Sequence, residues 1–355
     1  MEKLSVCLIV KNEEPVLGRC LACAVQFADE LIVVDTGSVD RSVGIAKEYT
    51  PLVYLHPWRN SFAEARNYSY SKASGDYVMW LDADDVVTEE NIARLRLLKE
   101  ETEADVIFTM YGSQSETGLT DCILRDRIIR RSVFTEWRYD VHEGIPIDPA
   151  WKRRYQTDIW IHHKKEVVNE PERNMDIFHG LLSAGKTLEP FEKANLVKEY
   201  ALHGKTEEAQ LLFRELLPSD AGYEYAFTFL MRDLLRTEQW QACMALITET
   251  DRHLRPAALS FFAKGRCAEA LGDEKLAEEL YYRAMTVQED PFRLNIRFTG
   301  YNDYFPLLRL AMLAEKRGER AEALRLLNRA GSAYPNAKEW QRMRLVFLLR
   351  PVNSK

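Results

Sequence analysis

The sequence predicts an α/β domain followed by an all-α domain of helical repeats. In the first part of the chain, short apolar runs alternate with helical stretches, the pattern of a mostly parallel sheet that is covered on both faces. After residue 190, four segments resemble one another at helical periodicity. With 355 residues, the chain is long enough for two domains of ordinary size.

Strands and helices alternate along the first part of the chain. The five strands are predicted in "LSVCLIVK", "ELIVVD", "PLVYLHP", "YVMWLD" and "ADVIFTMYG". The four helices are predicted in "EEPVLGRCLACAVQF", "SVDRSVGIAKEYT", "SFAEARNYSYSKAS" and "EENIARLRLLKEET". Pro15 suits the first turn of the first helix, and Ser61 and Glu64 have capping-box spacing for the third. Thr88 is a suitable N-cap for the fourth helix.

The pattern changes between Gly118 and His163. The segments "LTDCILRDRIIRRS" and "TDIWIHH" indicate shorter strands with mixed or antiparallel pairing. Because these strands follow the alternating part, we expect them to complete the same domain.

Residues after Pro190 form the predicted repeats. Each of "ALHGKTEEAQLLFREL", "LRTEQWQACMALITE", "EALGDEKLAEELYYRAM" and "AEKRGERAEALRLLNRA" reads as a helix, a tight polar turn and a second helix. The steps from Gly204 to Gln239 and on to Gly272 are close to the period of about 34 residues of tetratricopeptide repeats. The longer step to Gly318 includes "PFRLNIRFTGYNDYF", which we interpret as an insertion. The predicted organisation is a domain at 1–170, a linker at 171–189 and repeats at 190–355.

Composition excludes several classes of protein. The formal net charge of −7 argues against a nucleic-acid-binding protein that relies on a broad basic surface. No apolar run approaches the length of a membrane span, and the N-terminus predicts a strand and not a signal peptide. The six cysteines are scattered, and the pair Cys20 and Cys23 lies in a helical stretch where packing is expected. We therefore expect a cytoplasmic protein with no nucleic-acid partner and no membrane span.

The stretch "YVMWLDADD" ends a buried strand in a cluster of acids. Two strands end in an aspartate, at Asp35 and at Asp82, and ligands bind at the carboxyl ends of strands in such sheets. Asp84 lies two residues beyond Asp82, so in extended backbone both side chains point to the same side. Two carboxylates on one side can share Mg²⁺ or Mn²⁺, which offsets their repulsion. No glycine-rich phosphate-binding motif is present, so a nucleotide diphosphate would need a metal to meet its charge.

Four segments in order resemble family 2 glycosyltransferases of the GT-A fold. They are "LIVKNEE", "VVDTGSVDRS", "FAEARNYSYSKASGDYVMWLDADD" and "RIIRR" with "WRYDVHEGI", and the resemblance covers residues 1–170. With repeats following, the chain is similar to the bacterial subgroup that fuses such a domain to tetratricopeptide repeats. That subgroup includes the S-glycosyltransferases of glycosylated bacteriocins.

The resemblance implies a role for each matching residue. Asp35 would accept the uracil N–H, and Asp82 and Asp84 would hold the ribose and the metal. The remaining nucleotide-sugar contacts implied by the resemblance are Val10, Asn12, Glu14, Gly37, Ser38 and Arg66. Asp40 either belongs to this pocket or caps the next helix, and Asp85 is expected to support the site from behind or to bond within the loop.

The remaining site residues are more widely spaced. His163 in "IHHKK" resembles the late histidine that completes the metal site, with His162 as the neighbouring alternative. Glu143 in "VHEGI" is the candidate base that removes the acceptor proton, with Asp140 and Asp121 in reserve. A purely structural glutamate is the alternative for Glu143. The arginines of the preceding strand are expected either to contact phosphate or sugar or to lie on an exposed face, and they are Arg127, Arg130 and Arg131.

Two other classes of protein share features with this sequence. "VMWLDADDV" matches the nucleophile motif of haloacid-dehalogenase phosphatases, but that motif belongs on the first strand and here three strand–helix units precede it. A non-catalytic binding protein whose repeats do the work is the second alternative, and the retained acids argue against it.

The sequence therefore predicts a metal-dependent, inverting hexosyltransferase. It would use Mn²⁺ or Mg²⁺ to move a sugar from a UDP-sugar to a peptide or protein side chain. The repeats would hold this acceptor or form a homodimer. An acceptor saccharide in cell-envelope polysaccharide synthesis is the main alternative.

Overall fold

The chain folds into two compact units in a computed structural model that describes residues 3–101, 103–112, 121–164, 172–255, 257–289 and 296–349. The first unit comprises Met1–Ser113 and Cys122–Thr187, and the second comprises Gln114–Asp121 and Leu188–Lys355. The segment 171–189, expected as a linker, contains a helix at Arg173–Ser183 that groups with the first unit.

Eight strands of the first unit form one sheet in the order β3-β2-β1-β4-β7-β6-β8-β5. Their bounds are β1 Leu4–Val10, β2 Glu30–Asp35, β3 Val53–Leu55, β4 Tyr77–Asp82, β5 Asp85–Val86, β6 Val106–Gly112, β7 Asp121–Arg130 and β8 Arg153–His163. The five strands predicted in the alternating region are confirmed as β1, β2, β3, β4 and β6. The last two predicted strands, β7 and β8, are the longest in the sheet at 10 and 11 residues, so the expectation that they are short is wrong.

The sheet is mixed in direction. Strands β3, β2, β1 and β4 run parallel to one another, and β6 runs parallel to β8. Antiparallel pairing enters where β7 lies between β4 and β6. Because β1, β2 and β4 are parallel neighbours, their carboxyl ends meet at one edge of the sheet.

The described part of the first unit contains five helices. They are α1 Leu17–Ala24, α2 Ser42–Tyr49, α3 Phe62–Ser71, α4 Glu89–Glu101 and α5 Arg173–Ser183. The cap predicted for α3 is confirmed, since Ser61 Oγ accepts a hydrogen bond of 3.2 Å from Glu64 N. Thr88 Oγ1 likewise accepts from Asn91 N at 3.4 Å at the start of α4. Pro15 lies before α1 and not in its first turn, so that prediction is wrong.

Apolar side chains explain why these elements pack. Almost every residue of β1 and β4 is buried, as expected for central strands that are covered on both faces. The main core of the unit includes Leu8 and Leu81 from the sheet, Leu21 from α1 and Leu95 from α4.

The second unit is helical. Its helices are α6 Pro190–Leu202, α7 Thr206–Phe213, α8 Tyr223–Arg236, α9 Trp240–Thr250, α10 Ala258–Ala270, α11 Glu274–Thr286, α12 Tyr304–Lys316, α13 Arg320–Ala333 and α14 Lys338–Leu349. A short strand, β9 at Ile296–Phe298, precedes α12. No helix among the described residues is long and apolar enough to cross a membrane.

The turns inside the helix pairs show the repeat directly. The pairs α6–α7, α8–α9, α10–α11 and α12–α13 each turn through a residue with positive φ: Gly204, Glu238, Gly272 and Gly318. The steps are 34 residues (238 − 204), 34 residues (272 − 238) and 46 residues (318 − 272). The predicted repeat is therefore confirmed, with the second turn at Glu238 and not at Gln239. The longer third step contains β9, and part of the insertion lies outside the described residues.

Candidate active site

A cavity of about 330 Å³ opens at the carboxyl ends of β1 and β4. Its walls combine acidic, basic and aromatic side chains in one place. The charged residues and histidines that line it are Lys11, Glu13, Arg66, Asp82, Asp84, Arg125, His142, Glu143, His163 and Arg173. The cavity therefore lies at the sheet edge where the sequence predicts a ligand site.

The acidic cluster is built by a turn between two strands. Asp82 ends β4, the chain turns at Ala83 and Asp84, and Asp85 begins β5. The extended backbone assumed for this stretch is therefore wrong, and Asp84 reaches the cavity from the turn. Asp85 is buried, and its Oδ2 accepts a hydrogen bond of 3.0 Å from Asp82 N, which holds the turn closed.

His163 joins the acids through strand pairing. The antiparallel register of β5 and β8 sets His163 opposite Asp85, and His163 Nδ1 lies 3.2 Å from Asp84 Oδ1. Burial opposes its charged form, but the carboxylates of Asp84 and Asp85 raise the pKa of His163 to about 10. For the neighbouring His162, burial and, to a lesser extent, the charge of Lys164 lower the pKa.

The cluster has the geometry and chemistry to hold a divalent cation. Asp82, Asp85 and His163 each offer a ligand atom, and these atoms all lie within 4.8 Å of one another. Asp85 Oδ1 is buried and accepts no hydrogen bond, with His163 Nδ1 at 3.6 Å. A buried carboxylate oxygen without a partner is costly unless a proton or a cation meets it. Carboxylate oxygens suit Mn²⁺ and Mg²⁺, and imidazole is a common ligand of first-row transition metals.

Arg66 connects the acidic cluster to Glu143. Its Nη2 donates to Asp82 Oδ1 at 2.8 Å, and its Nε donates to Glu143 Oε1 at 2.6 Å. The guanidinium lies beside two indole rings that meet edge to face, 4.6 Å from the centroid of Trp80 and 5.2 Å from that of Trp137. Burial acts to raise the pKa of Asp82, but the charges of Arg66 and Arg127 hold that pKa well below its usual range.

Two segments position this bridge. Helix α3 carries Arg66, and the next residue, Asn67, exchanges hydrogen bonds of 2.8 and 2.9 Å with the backbone of Trp137. An isolated bridge pairs Arg138 with Gly144 and closes the loop that carries Glu143. Within that loop, His142 has φ of +55°, a conformation that is uncommon outside glycine and recurs at functional sites.

The loops after β1 and β2 form a second polar network beside the cavity. Asp35 is buried, and its Oδ2 accepts from Gly37 N at 3.0 Å and from Ser38 N at 3.1 Å. Asn12 N donates to Ser38 Oγ at 2.9 Å, and Asn12 Oδ1 accepts from Val39 N at 2.8 Å. The structure therefore brings these residues together, with Val10 in the cavity wall.

Glu14 and Asp40 extend this network. Asp40 accepts from Glu14 N at 3.0 Å and from Ser42 N at 2.9 Å, and Glu14 accepts from Arg41 N at 3.1 Å. Asp40 therefore both ties the two loops together and bonds to the start of α2.

The arginines of β7 occupy different positions from those that the sequence predicted. Arg127 is fully buried and bonds to Asp85 Oδ2 and Trp80 O, each at 3.2 Å. Arg130 bonds to Asp105, and Arg131 donates to Gly75 O, so none of these three lines the cavity. Arg125, which the sequence analysis missed, lines it instead. The alternation of side chains along β7 predicts that Arg125 and Arg127 lie on one face and Arg130 on the other. It does not predict that Arg125 lines the cavity while Arg127 is fully buried.

A second cavity of about 540 Å³ adjoins the first. The two share Lys11, Trp58 and Arg173 in their walls. Asp140, a reserve candidate for the base, lines this second cavity and pairs with Lys186 Nζ at 3.3 Å. The other reserve, Asp121, pairs with Arg232 Nη2 at 3.1 Å in the second unit.

Residues 5–143 match the family model described as glycosyl transferase family 2. A TPR repeat-containing protein of Synechococcus elongatus is 34% identical over 143 residues, which are 40% of this chain and 35% of that protein. An uncharacterized glycosyltransferase, EpsJ of Bacillus subtilis, is 25% identical over 167 residues, which are 44% of this chain and 48% of that protein. The chain thus spans about a third to a half of the length of these relatives.

Among solved structures, the chain resembles Staphylococcus aureus TarS 1–349 in complex with UDP-GlcNAc. The TM-score is 0.38 at 15% identity, over 84% of this chain and 97% of that one.

Proposed function

We propose that this chain, in which residues 5–143 form a family 2 glycosyltransferase domain, is a metal-dependent glycosyltransferase that uses a UDP-sugar donor. The proposal rests on one buried arginine that forms ion pairs with two carboxylates. Arg66 bonds on one side to Asp82 of the acidic cluster and on the other to Glu143. A donor held by the cluster would therefore lie within reach of a fixed carboxylate.

The donor would bind along the carboxyl edge of the sheet. Asp35 would accept the N–H of the uracil ring, in a pocket formed with Val10, Asn12, Glu14, Gly37 and Ser38. Asp82, Asp84 and His163 would hold Mn²⁺ or Mg²⁺, with Asp85 as a further ligand or as support for the turn. The bound cation would neutralise the charge that develops on the leaving diphosphate.

The acceptor would meet the sugar beside Glu143. Glu143 would take the proton of the acceptor as its oxygen or sulfur bonds to the anomeric carbon, while the bond from that carbon to the diphosphate breaks. Attack opposite the leaving group inverts the anomeric configuration. Arg66 holds Glu143 Oε1 in place, so the second oxygen, Oε2, would be the one that receives the proton.

The acceptor is proposed to be a peptide or protein side chain. The adjoining cavity, which shares Trp58 with the first, would admit this acceptor. A stack of helix pairs offers an extended surface for a protein chain. The aromatic ring of Trp58 in both cavity walls also suits a sugar ring, so a saccharide acceptor is the second candidate.

Release of UDP from a panel of UDP-sugars tests the proposal. We expect turnover with Mn²⁺ or Mg²⁺ and with one or a few sugars, and none after chelation. Glu143→Gln keeps the shape of the side chain and should abolish transfer while UDP still binds. Full turnover in the presence of chelator would contradict the metal role, and full transfer by Glu143→Gln would contradict the role of that carboxylate.

A further inference from the structure

Three guanidinium groups surround the indole ring of Trp80. Arg127 lies 3.5 Å from the ring centroid, Arg66 lies 4.6 Å from it and Arg125 lies 5.0 Å from it. Like charges repel, so a cluster of three cations needs anions nearby. The three arginines differ in how they meet that need.

Two of the three have anionic partners within the protein. Arg66 is engaged by Asp82 and Glu143 at 2.8 and 2.6 Å. Arg127 is fully buried and paired with Asp85 at 3.2 Å, away from the cavity surface. Both are therefore used to arrange the site's own carboxylates.

Arg125 has a weaker anionic partner than the other two. It makes no hydrogen bond to any other residue that the structure describes, and its Nε is buried without an acceptor. The nearest carboxylate oxygen, Asp126 Oδ1, is 3.9 Å from Nε, at the limit of an ion pair. The side chain is 29% exposed and lines the cavity. It thus presents donors to whatever fills that space.

Arg125 lies at the end of the sheet that carries the acidic cluster. The antiparallel pairing of β4 with β7 ends at Met79 opposite Ile128, and β7 has an irregularity next to Ile128. Beyond that point, Asp82 on β4 and Arg125 on β7 line the same cavity. Trp80 Nε1 donates to Asp126 O at 2.8 Å, which keeps the two strands together beyond the last paired residue. Arg125 therefore lies beside the acidic cluster and not beside the loops of the predicted base pocket.

We propose that Arg125 binds an anionic oxygen of the nucleotide-sugar donor, and that this oxygen lies beyond the donor's α-phosphate. This inference rests on the proposed function and adds a residue and a charge requirement to it. Two sources share this chemistry: the β-phosphate of the leaving diphosphate and the carboxylate of a uronic acid sugar. The planar fork of arginine matches both.

Calorimetric titration of the full-length protein with UMP, UDP, UDP-glucose and UDP-glucuronate, all in Mn²⁺, tests the inference. A lost charge-assisted contact should lower affinity about ten- to a hundred-fold. If Arg125 holds the β-phosphate, Arg125→Ala weakens UDP and both UDP-sugars by that factor and leaves UMP unchanged. If it holds a sugar carboxylate, the wild-type protein prefers UDP-glucuronate over UDP-glucose and Arg125→Ala removes that preference. Arg125→Lys should restore only part of the loss.

Arg130→Ala is the matched control. Arg130 is on the same strand and also stacks on an aromatic ring, 4.9 Å from the centroid of Tyr77, but it bonds to Asp105 away from the cavity. It should bind all four ligands as the parent does. Equal affinities for parent and Arg125→Ala, or an equal loss for UMP and UDP, would overturn the inference alone. A parent protein that binds none of the four ligands would contradict the proposed function as well.

Discussion

Replacing Arg66 with methionine should destabilise the first unit strongly. Methionine has a similar length and fills the space beside the two indole rings, so little cavity is created. What the variant loses is the charge between Asp82 and Glu143, whose side chains are 31% and 11% exposed. The two carboxylates would then face each other with no cation between them.

The magnitude follows from these two contacts. Removing one partner of a buried ion pair costs about 3–5 kcal/mol. Because Asp82 retains some contact with water, the lower part of this range is expected, about 3 kcal/mol in the free energy of unfolding at pH 7.5. The double variant Arg66→Met with Glu143→Gln removes one of the stranded charges and should recover part of the loss.

The pH dependence has a definite sign. Arg66 helps to hold the pKa of Asp82 below its usual range against the effect of burial. A lowered pKa stabilises the folded state above the unfolded pKa of about 3.9, and this contribution is lost as the pH falls through the folded value. The difference in the free energy of unfolding between the parent protein and Arg66→Met should therefore become smaller below about pH 4.

Urea unfolding followed by tryptophan fluorescence measures these differences, since Trp80 and Trp137 flank the substituted side chain. Arg59→Met is the matched control, because Arg59 is exposed and pairs with Glu64 at the surface, where a pair contributes about 1 kcal/mol or less. If Arg66→Met were no more destabilising than Arg59→Met, the bridge would not hold the site together and the reasoning would fail.

Three further predictions concern other parts of the chain. Asp84→Ala should weaken Mn²⁺ binding in calorimetry, because Asp84 reaches the cavity from the turn after β4; unchanged affinity would assign the metal to other ligands. Asp35→Ala should weaken UDP binding about ten- to a hundred-fold, as it would lose the base contact and two loop hydrogen bonds, and equal UDP affinity would move the base pocket elsewhere. Gly265→Ala should destabilise the chain by about 1–3 kcal/mol, because the added carbon would lie 2.6 Å from the Tyr281 ring. Gly44→Ala, on a helix with open space around it, should be neutral or stabilising in the same urea assay, and equal effects of the two would refute the packing argument.

Much of the fold follows from local pattern. Apolar runs of five to eight residues between helical stretches predicted the first four strands, and the period near 34 residues predicted the repeats. The Asp35 and Asp82 positions followed because both end buried strands. These features are encoded within short windows of sequence, so a single chain is enough to find them.

Features that depend on distant partners could not be predicted. Nothing near Glu143 in the sequence indicates that Arg66 holds it, because 77 residues separate the two. The two-residue strand β5 exists only because β8 pairs with it, and its own sequence reads as a loop of acids. Likewise, the alternation of side chains along β7 puts Arg125 and Arg127 on one face. It does not reveal that Arg125 is half-buried while Arg127 is fully buried.

The pairing of β5 with β8 joins Asp85 to His163 across about 80 residues of chain. The entropy lost in closing that loop is therefore a cost of the last step in assembling the site. Contacts of such separation form late when folding spreads from local structure. Asp82 on β4 would thus be in place before β5 and the imidazole on β8 join the site. A chain still being synthesised has no complete set of ligands until β8 has left the ribosome and joined the sheet. Metal loading would then report complete folding of this unit, and partly folded chains would not compete for the ion.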